Sequence, residues 1–325
     1  MKCINKIRKC TAIVVLCVVL TGCGNVAYSF PYDPDYSVSS YRIVNTETQD
    51  TVSAFAEDLC VVSEDVLVDG VDTPTASAAA LFDVENGEVL YAKNVYEKLY
   101  PASLTKVMTA LVALKYGNKD DILTASENVI INESGATLCG VKPGDTMTLD
   151  QALHILLIQS ANDVAIMIAE HIGGSVEGFT EMMNEEAKKL GATNSHFVNP
   201  HGLTDDNHYV TAYDMYLIFN EAIKYDLFTE IVHMTSYDTI YHDAKGAEKE
   251  ISIKSTNWYL NGTCVMPEKV TVIGGKTGTT TAARSCLVLL SKDTSGNPYI
   301  SIILSAESRD VLYAEMTELL GEIRK

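Results

Sequence analysis

The stretch "YPASLTKVMTALVALKYG", Tyr100–Gly117, places a serine and a lysine three positions apart at the head of an apolar run. Proline is tolerated only in the first turn of a helix and glycine suits its end. Pro101 and Gly117 therefore predict a helix of about four turns starting at Ala102 or Ser103. Val107, Met108, Leu111 and Leu114 share one face of it. Residues three apart on a helix lie about 5–6 Å from each other at Cβ, so Ser103 and Lys106 are neighbours on a largely buried face. Serine is also a common helix start and lysine often snorkels from an apolar face, so the pair alone does not establish chemistry. For chemistry the lysine must be neutral, because only a free amine takes a proton from a serine hydroxyl; burial beside a second cation would achieve that.

Composition sets the frame. A chain of 325 residues, 47% hydrophobic, can bury a full core. Its 24 basic residues face 43 acidic ones, which excludes nucleic acid as a partner for the chain as a whole and reads as solubility. Residues 1–22 pair Lys2, Lys6, Arg8 and Lys9 with the apolar "CTAIVVLCVVLTG", a run of signal-peptide length that is short for a membrane span. Without them the net charge moves from −19 to −23. The ending Leu20-Thr21-Gly22-Cys23 resembles the bacterial lipobox, in which the cysteine is lipidated and becomes the mature N-terminus. An uncleaved signal anchor and plain secretion are the other readings, and all three put the protein outside the cytoplasm. Cys60, Cys139, Cys264 and Cys286 remain in the body of the chain, too widely spaced for a disulfide framework or a zinc site. Cys286, in an apolar strand, reads as core.

From Cys23 to Thr75 the chain is rich in Ser, Thr, Asp, Pro and Tyr without periodicity, and it reads as a flexible tether. The folded domain is expected at residues 76–325. "ASAAALFDVENGEVLYAKN" gives two strands around a turn at Asn86-Gly87, where both residues tolerate positive φ. "TLDQALHILLIQSANDVAIMIAEHIGG" opens on a capping box, Thr148 to Gln151. It is broken at Ser160-Ala161-Asn162, so it reads as two buried helices meeting at a turn. A further helix runs from about Val176 to Leu190. Late in the chain, "KVTVIGGKTGTTTAARSCLVLLSKDTSGNPYISIILSAES" alternates strands with turns, and "RDVLYAEMTELLGEIRK" is an amphipathic closing helix. Strands at both ends and helices between them predict an α+β domain with one antiparallel sheet assembled from both termini.

The second cation is then Lys276 of Lys276-Thr277-Gly278, in a strand-like segment where Gly275 and Gly278 allow close approach of backbone or ligand. S-x-x-K at 103–106, S-x-N at 160–162 and K-T-G at 276–278 follow in order, spaced by 57 and 116 residues. This triple resembles the serine β-lactamases and penicillin-binding proteins. "SANDVAIMIAEHIGGSVEGFTEMMNEEAKKLGATNSHFVNPHGL", "HYVTAYDM" and "GGKTGTTTAARSCLV" extend the resemblance to the low-molecular-weight penicillin-binding proteins that act as D-alanyl-D-alanine carboxypeptidases. It spans about residues 76–325.

The resemblance implies a β-lactamase/transpeptidase-like fold, no metal or other cofactor, a peptidoglycan stem peptide ending in D-Ala-D-Ala as substrate, and β-lactam antibiotics as covalent inhibitors. Ser103 would be the nucleophile and Lys106 its base. Ser160 would relay a proton to the leaving D-alanine amine, and Asn162 would hold Lys106 and the substrate. Lys276 would keep the site positive, with Thr277 and Thr279 offering hydroxyls to the substrate carboxylate beside Gly278. The oxyanion would sit on the backbone N–H groups of Ser103 and Thr279. His196, His201 and His208 with Asp205 and Asp206 fall in a loop without metal-ligand spacing. His208 matches a family position and is expected to order that loop.

Two departures stand out. Family members often carry a C-terminal β-rich domain and an amphipathic membrane anchor, whereas this sequence stops at Lys325; a lipid on Cys23 would then hold the protein to the membrane. Ala283-Arg284-Ser285 stands where the family often has Ala-Gly before an aromatic or polar residue. Arg284 could read the substrate carboxylate bidentately or could be a solvent-facing turn arginine. A serine β-lactamase, a DD-endopeptidase and a non-catalytic penicillin-binding sensor are the competing functions. Residues 187–220 lack any glutamate of the kind that class A β-lactamases use for deacylation.

Overall fold

The computed structural model describes residues 59–324, the side chain of Arg324 excepted. The signal segment, Cys23 and most of the expected tether lie outside the described residues.

The main sheet has five antiparallel strands in the order β2-β1-β9-β8-β7. They are β1 (Ala78–Asp83), β2 (Glu88–Lys93), β7 (Thr271–Thr280), β8 (Arg284–Lys292) and β9 (Pro298–Ala306). The N-terminal hairpin joins the C-terminal strands through the β1–β9 pairing, Ala79 opposite Ile303. This is the sheet from both termini that the sequence predicts. Period-2 alternation explains why it is covered on both faces. Ala78, Ala80, Phe82, Val288, Leu290, Ile300 and Ile302 enter the large core under the helices. Ala79, Leu81, Leu287, Leu289 and Ile303 meet Leu312, Tyr313, Met316 and Leu319 of the closing helix.

The helices are α1 (Thr105–Tyr116), α2 (Leu149–His154), α3 (Asn162–Gly173), α4 (Val176–Lys189), α5 (Ala212–Ala222), α6 (Asp226–His233) and α7 (Arg309–Leu320). Helix α1 follows a 3-10 turn at Ala102–Leu104 and is buried on every side from Thr105 to Ala113, not on one face only. Gly117 caps its end in extended conformation, where a Cβ would come within 2.6 Å of Leu149 Cδ2. The capping box at Thr148 and Gln151 is present. After α2 a π turn, Ile155–Gln159, delivers Ser160 in left-handed conformation, φ 70°, and α3 starts two residues later.

Three features differ from expectation. A second sheet, order β3-β4-β5-β6, joins β3 (Ile122–Thr124) and β4 (Thr146–Thr148) to the hairpin of β5 (Ser236–His242) and β6 (Glu248–Lys254). β3 and β4 are too short to show periodicity. The β1–β2 connection is a four-residue turn, 84–87, in which only Gly87 has positive φ, 67°. Asn86 instead anchors to the carboxylate of Asp83 through its backbone N–H and its Nδ2, both at 3.0 Å. Finally, residues 59–75 are packed on the domain, which corrects the tether boundary at residue 75. Cys60 is fully buried; its N–H donates to Tyr216 Oη at 3.0 Å and its carbonyl accepts from Tyr213 Oη at 2.9 Å. Lys93 Nζ donates to the carbonyls of Thr73 and Ala76. Backbone-to-side-chain bonds of this kind leave no periodic trace in a sequence. All four cysteines of the described residues are free thiols, and Cys286 lies in the core.

Candidate active site

Ser103 sits in the 3-10 turn ahead of α1, next to Ala102 at φ 47°. Lys106, one turn on, is fully buried. Its Nζ lies 2.9 Å from Ser103 Oγ, 2.6 Å from Asn162 Oδ1 and 2.6 Å from the carbonyl of His201. Two of these three partners are carbonyl oxygens, which only accept. A neutral amine has two N–H groups, so they go to Asn162 and His201, and its lone pair is left facing the Ser103 hydroxyl. Burial first and the charge of Lys276 second push the Lys106 amine well below its ordinary value, while Asp163 pulls the other way.

Lys276 reaches the site from β7, also buried, and donates to Ser160 Oγ at 2.9 Å and to the Thr277 carbonyl at 2.8 Å. Desolvation, with Arg309 adding to it, lowers its pKa to about 7. The strand can lie this close only because residue 278 is glycine. A Cβ there would stand 2.9 Å from the Pro101 carbonyl and 3.0 Å from the Ser103 nitrogen. Gly275 instead faces its partner strand, where a Cβ would strike the Val288 carbonyl. Thr279 is exposed, whereas Thr277 is buried and shares a 2.7 Å bond with Thr256 Oγ1.

A cavity of about 570 Å³ opens over Ser103, with residues 133–137, Asn162, Gly202, Leu203 and Thr279 in its walls. The three motifs thus converge on one point, and the K-T-G strand brings Thr279 beside Ser103. Arg284 lies elsewhere: it starts β8 beyond the hairpin turn and lines a neighbouring cavity with Arg309, not the wall around Ser103. The cation that acts on Lys276 is Arg309, at the start of α7, a residue the sequence reading passed over.

In the reading of the sequence, the loop 199–203 has no part in holding Lys106. Asn199 Oδ1 accepts from the backbone N–H groups of His201 and Gly202, and Thr109 Oγ1 donates to the Pro200 carbonyl at 2.6 Å. Together they fix the His201 carbonyl against Lys106. Gly202, φ 87°, passes so close to the Ala102 carbonyl that a Cβ would overlap it. His208 does order its surroundings. Thr105 Oγ1 donates to the Ala102 carbonyl, so His208 donates from Nε2 to Thr105, 2.8 Å, and accepts the Val198 N–H at Nδ1, 3.2 Å. Burial lowers its pKa to about 4 and that of His201 to about 3, which keeps both neutral. Among the described residues no group of three or more His, Cys, Asp or Glu is placed to hold a metal ion.

A serine beside a desolvated lysine, a second lysine bonded to a second serine, and an open cavity above them form an arrangement suited to acyl transfer by an active-site serine. The D-alanyl-D-alanine carboxypeptidase family matches residues 66–308, and the chain belongs to that family. It is 34% identical over 252 residues to the D-alanyl-D-alanine carboxypeptidase DacF of Bacillus subtilis, covering 75% of this chain and 61% of that protein. To DacC of Escherichia coli it is 32% identical over 263 residues, 77% of this chain and 62% of that one. The chain thus matches somewhat less than two thirds of the length of these relatives. Among solved structures it superimposes on a Streptomyces DD-transpeptidase with a TM-score of 0.72 at 26% identity, covering 78% of this chain and 98% of that one. A penicillin-binding protein homologue from Mycobacterium tuberculosis gives 0.69 at 26% identity, 80% and 95% covered. The α+β fold expected from the motifs is therefore that of the DD-peptidases.

Proposed function

We propose that this protein is a serine D-Ala-D-Ala carboxypeptidase that removes the terminal D-alanine of peptidoglycan stem pentapeptides. The observation that carries the reading is the Lys106 amine, whose two carbonyl partners leave its lone pair for Ser103. Ser103 Oγ attacks the carbonyl carbon of the penultimate D-alanine while its proton passes to Lys106 Nζ. The tetrahedral oxyanion is held by backbone N–H groups of Ser103 and Thr279. Ser160, which accepts a hydrogen bond from Lys276, hands its proton to the leaving nitrogen and takes the proton held on Lys106 in its place, so that D-alanine departs and Lys106 is neutral again. A water then attacks the ester with Lys106 as base, and Ser103 Oγ recovers the proton.

Lys276 and Arg309 supply the positive field for the terminal carboxylate, with Thr279 as hydroxyl donor; Arg309 takes the part first read for Arg284. Asn162 holds Lys106 and the substrate amide. A β-lactam enters the same cavity and acylates Ser103. Export through the 1–22 segment and a lipid on Cys23 would place this chemistry on the outer face of the membrane.

Incubation with purified pentapeptide muropeptides, followed by mass spectrometry, tests the reading. Loss of one D-alanine per stem is the expected result. Cleavage of cross-links alone would make the protein an endopeptidase. Ser103 acylation by penicillin with no peptide turned over would make it a sensor, and rapid penicillin hydrolysis a β-lactamase.

A further inference from the structure

The hairpin between β7 and β8 carries a residue that acyl transfer at Ser103 does not use. Thr280 pairs with Arg284 across three turn residues, and Arg284 stands at φ 59°. Hairpins with three-residue loops commonly set glycine at a left-handed corner, because a Cβ there crowds the following carbonyl. At Arg284 a long side chain is kept where the backbone favours none, and such strain persists at functional sites.

Arg284 lines an open cavity of about 580 Å³ together with Thr279, Thr280, Thr281, Glu307 and Arg309. The three threonines also line the Ser103 cavity, so the two spaces meet along the end of β7. The chain has only five arginines. Arg284 and Arg309 are the only two whose side chains are described, and both face this cavity. The ion pairs among the described residues are all made by lysine or histidine, none by these arginines. Arg309 lies over the Trp258 ring at 5.8 Å, while Arg284 is exposed. Glu307 is the one carboxylate in the lining, so the cavity carries net positive charge in a chain of net charge −19. A guanidinium without a partner presents a planar fork that matches a carboxylate.

The geometry points to a second carboxylate subsite beyond the scissile bond, in which Arg284 takes the side-chain carboxylate of a dicarboxylic leaving residue. The inference rests on the carboxypeptidase reading of Ser103. The bond broken is the amide between the D-alanine carbonyl carbon and the nitrogen of that residue. One water is consumed overall, its hydroxyl ending on the acyl carbon and its proton on the released amine.

Peptides ending in D-Ala-D-Ala, D-Ala-D-Glu and D-Ala-D-Gln test it, since the last two share a shape and differ in charge. The expected wild-type kcat/KM favours D-Glu over D-Gln by about fivefold, through KM, a modest factor because Arg284 is exposed. Arg284→Gln should bring that ratio close to one, and Glu307→Gln should widen it. Arg284→Gly should abolish the preference while leaving the thermal midpoint equal to or above that of the wild type, which separates recognition from a structural role. A wild-type ratio near one, or one that Arg284→Gln leaves unchanged, overturns the inference while D-Ala-D-Ala turnover keeps the carboxypeptidase reading standing. Release from none of the three peptides, with Ser103 still acylated by a β-lactam, overturns both.

Discussion

Lys106 and Lys276 bond to the two ends of one three-residue motif: Lys106 Nζ lies 2.6 Å from Asn162 Oδ1, and Lys276 Nζ lies 2.9 Å from Ser160 Oγ. The left-handed backbone at Ser160, φ 70°, turns its side chain away from the run of the π turn, and Asn162 then opens α3. Two cations that disfavour each other are thereby held on either side of a hydroxyl and an amide. The site can keep one of the amines neutral while the other stays charged.

A pH profile follows, with a defined sign. The proposed mechanism needs Lys106 neutral and Lys276 charged. Activity should rise on the acid side as the pair loses its first proton, and fall on the alkaline side as Lys276 loses its own, near its value of about 7 in the free enzyme. A bound substrate carboxylate favours the Lys276 cation, so the alkaline limb of kcat should lie above that of kcat/KM. Lys276→Arg, which cannot deprotonate, should lose the alkaline limb altogether. An unchanged limb in that variant would assign it to another group.

Lys106→Arg tests the base itself. A guanidinium fits a buried cation site but cannot accept a proton at any accessible pH, and general-base loss costs about 10²–10⁴-fold. The acylation rate with a chromogenic β-lactam should fall by that factor, while Ser103→Ala should abolish the adduct. Labelling of any serine other than Ser103, read by peptide mapping, would displace the assignment.

The lipobox reading makes a separate prediction at Cys23. Cys23→Ser should block lipid attachment and leave a longer, unacylated form. A diacylglyceryl group supplies the two chains that stable anchoring requires, so the wild type should partition with membranes and the variant should not be lipid-anchored. A mature N-terminus well downstream of residue 23, without lipid, would indicate plain secretion.

Much of this arrangement was legible in the sequence because its carriers are local. S-x-x-K is one helical turn, S-x-N is a break between two helices, and K-T-G lies in a strand whose glycines announce close packing. What escaped was set by long-range geometry. The His201 carbonyl is a backbone atom, so no residue type marks it as the third partner of Lys106. Arg309 is separated from Lys276 by two strands, and only the sheet order brings them near each other. Arg284 stands out in the sequence as a departure from the family pattern, but which cavity it faces depends on strand parity and on the turn at 281–283, neither fixed by spacing alone.

Asp163 also escaped, although it directly follows Asn162. It is nearly fully buried, and its carboxylate accepts the backbone N–H groups of Cys139, Gly140 and Val141 at 2.9, 2.7 and 3.3 Å. This ties down the loop whose residues 133–137 line the cavity together with Ser103. Asp163→Ala strands those donors, at about 1–3 kcal/mol for each that finds no water, so a stability loss of about 3 kcal/mol is expected in urea unfolding. The Asp163 charge also favours the Lys106 cation. Its removal should therefore shift the acid limb of kcat/KM to lower pH. A shift to higher pH would contradict the electrostatic assignment.

Gly278→Ala examines the approach of β7 to the nucleophile. The new Cβ would stand 2.9 Å from the Pro101 carbonyl, 3.0 Å from the Ser103 nitrogen and 3.2 Å from Ala102 Cβ. Two of these three neighbours are backbone atoms of the segment that presents Ser103, so strand and turn must separate by a few tenths of an ångström. Overpacking of this kind costs about 1–3 kcal/mol in stability. The larger effect should be on chemistry, because the proposed mechanism draws its two oxyanion N–H groups from Ser103 and Thr279, on either side of that contact. A misplacement approaching 1 Å can cost about 10²-fold in rate. Gly275→Ala provides the contrast, since its Cβ would meet the Val288 carbonyl inside the sheet, away from Ser103. It should lower the unfolding midpoint, with less effect than Gly278→Ala on the acylation rate of the protein that remains folded. Measuring burst acylation and urea midpoints on both variants separates the cases; wild-type acylation in Gly278→Ala would show that the K-T-G strand does not position the nucleophile.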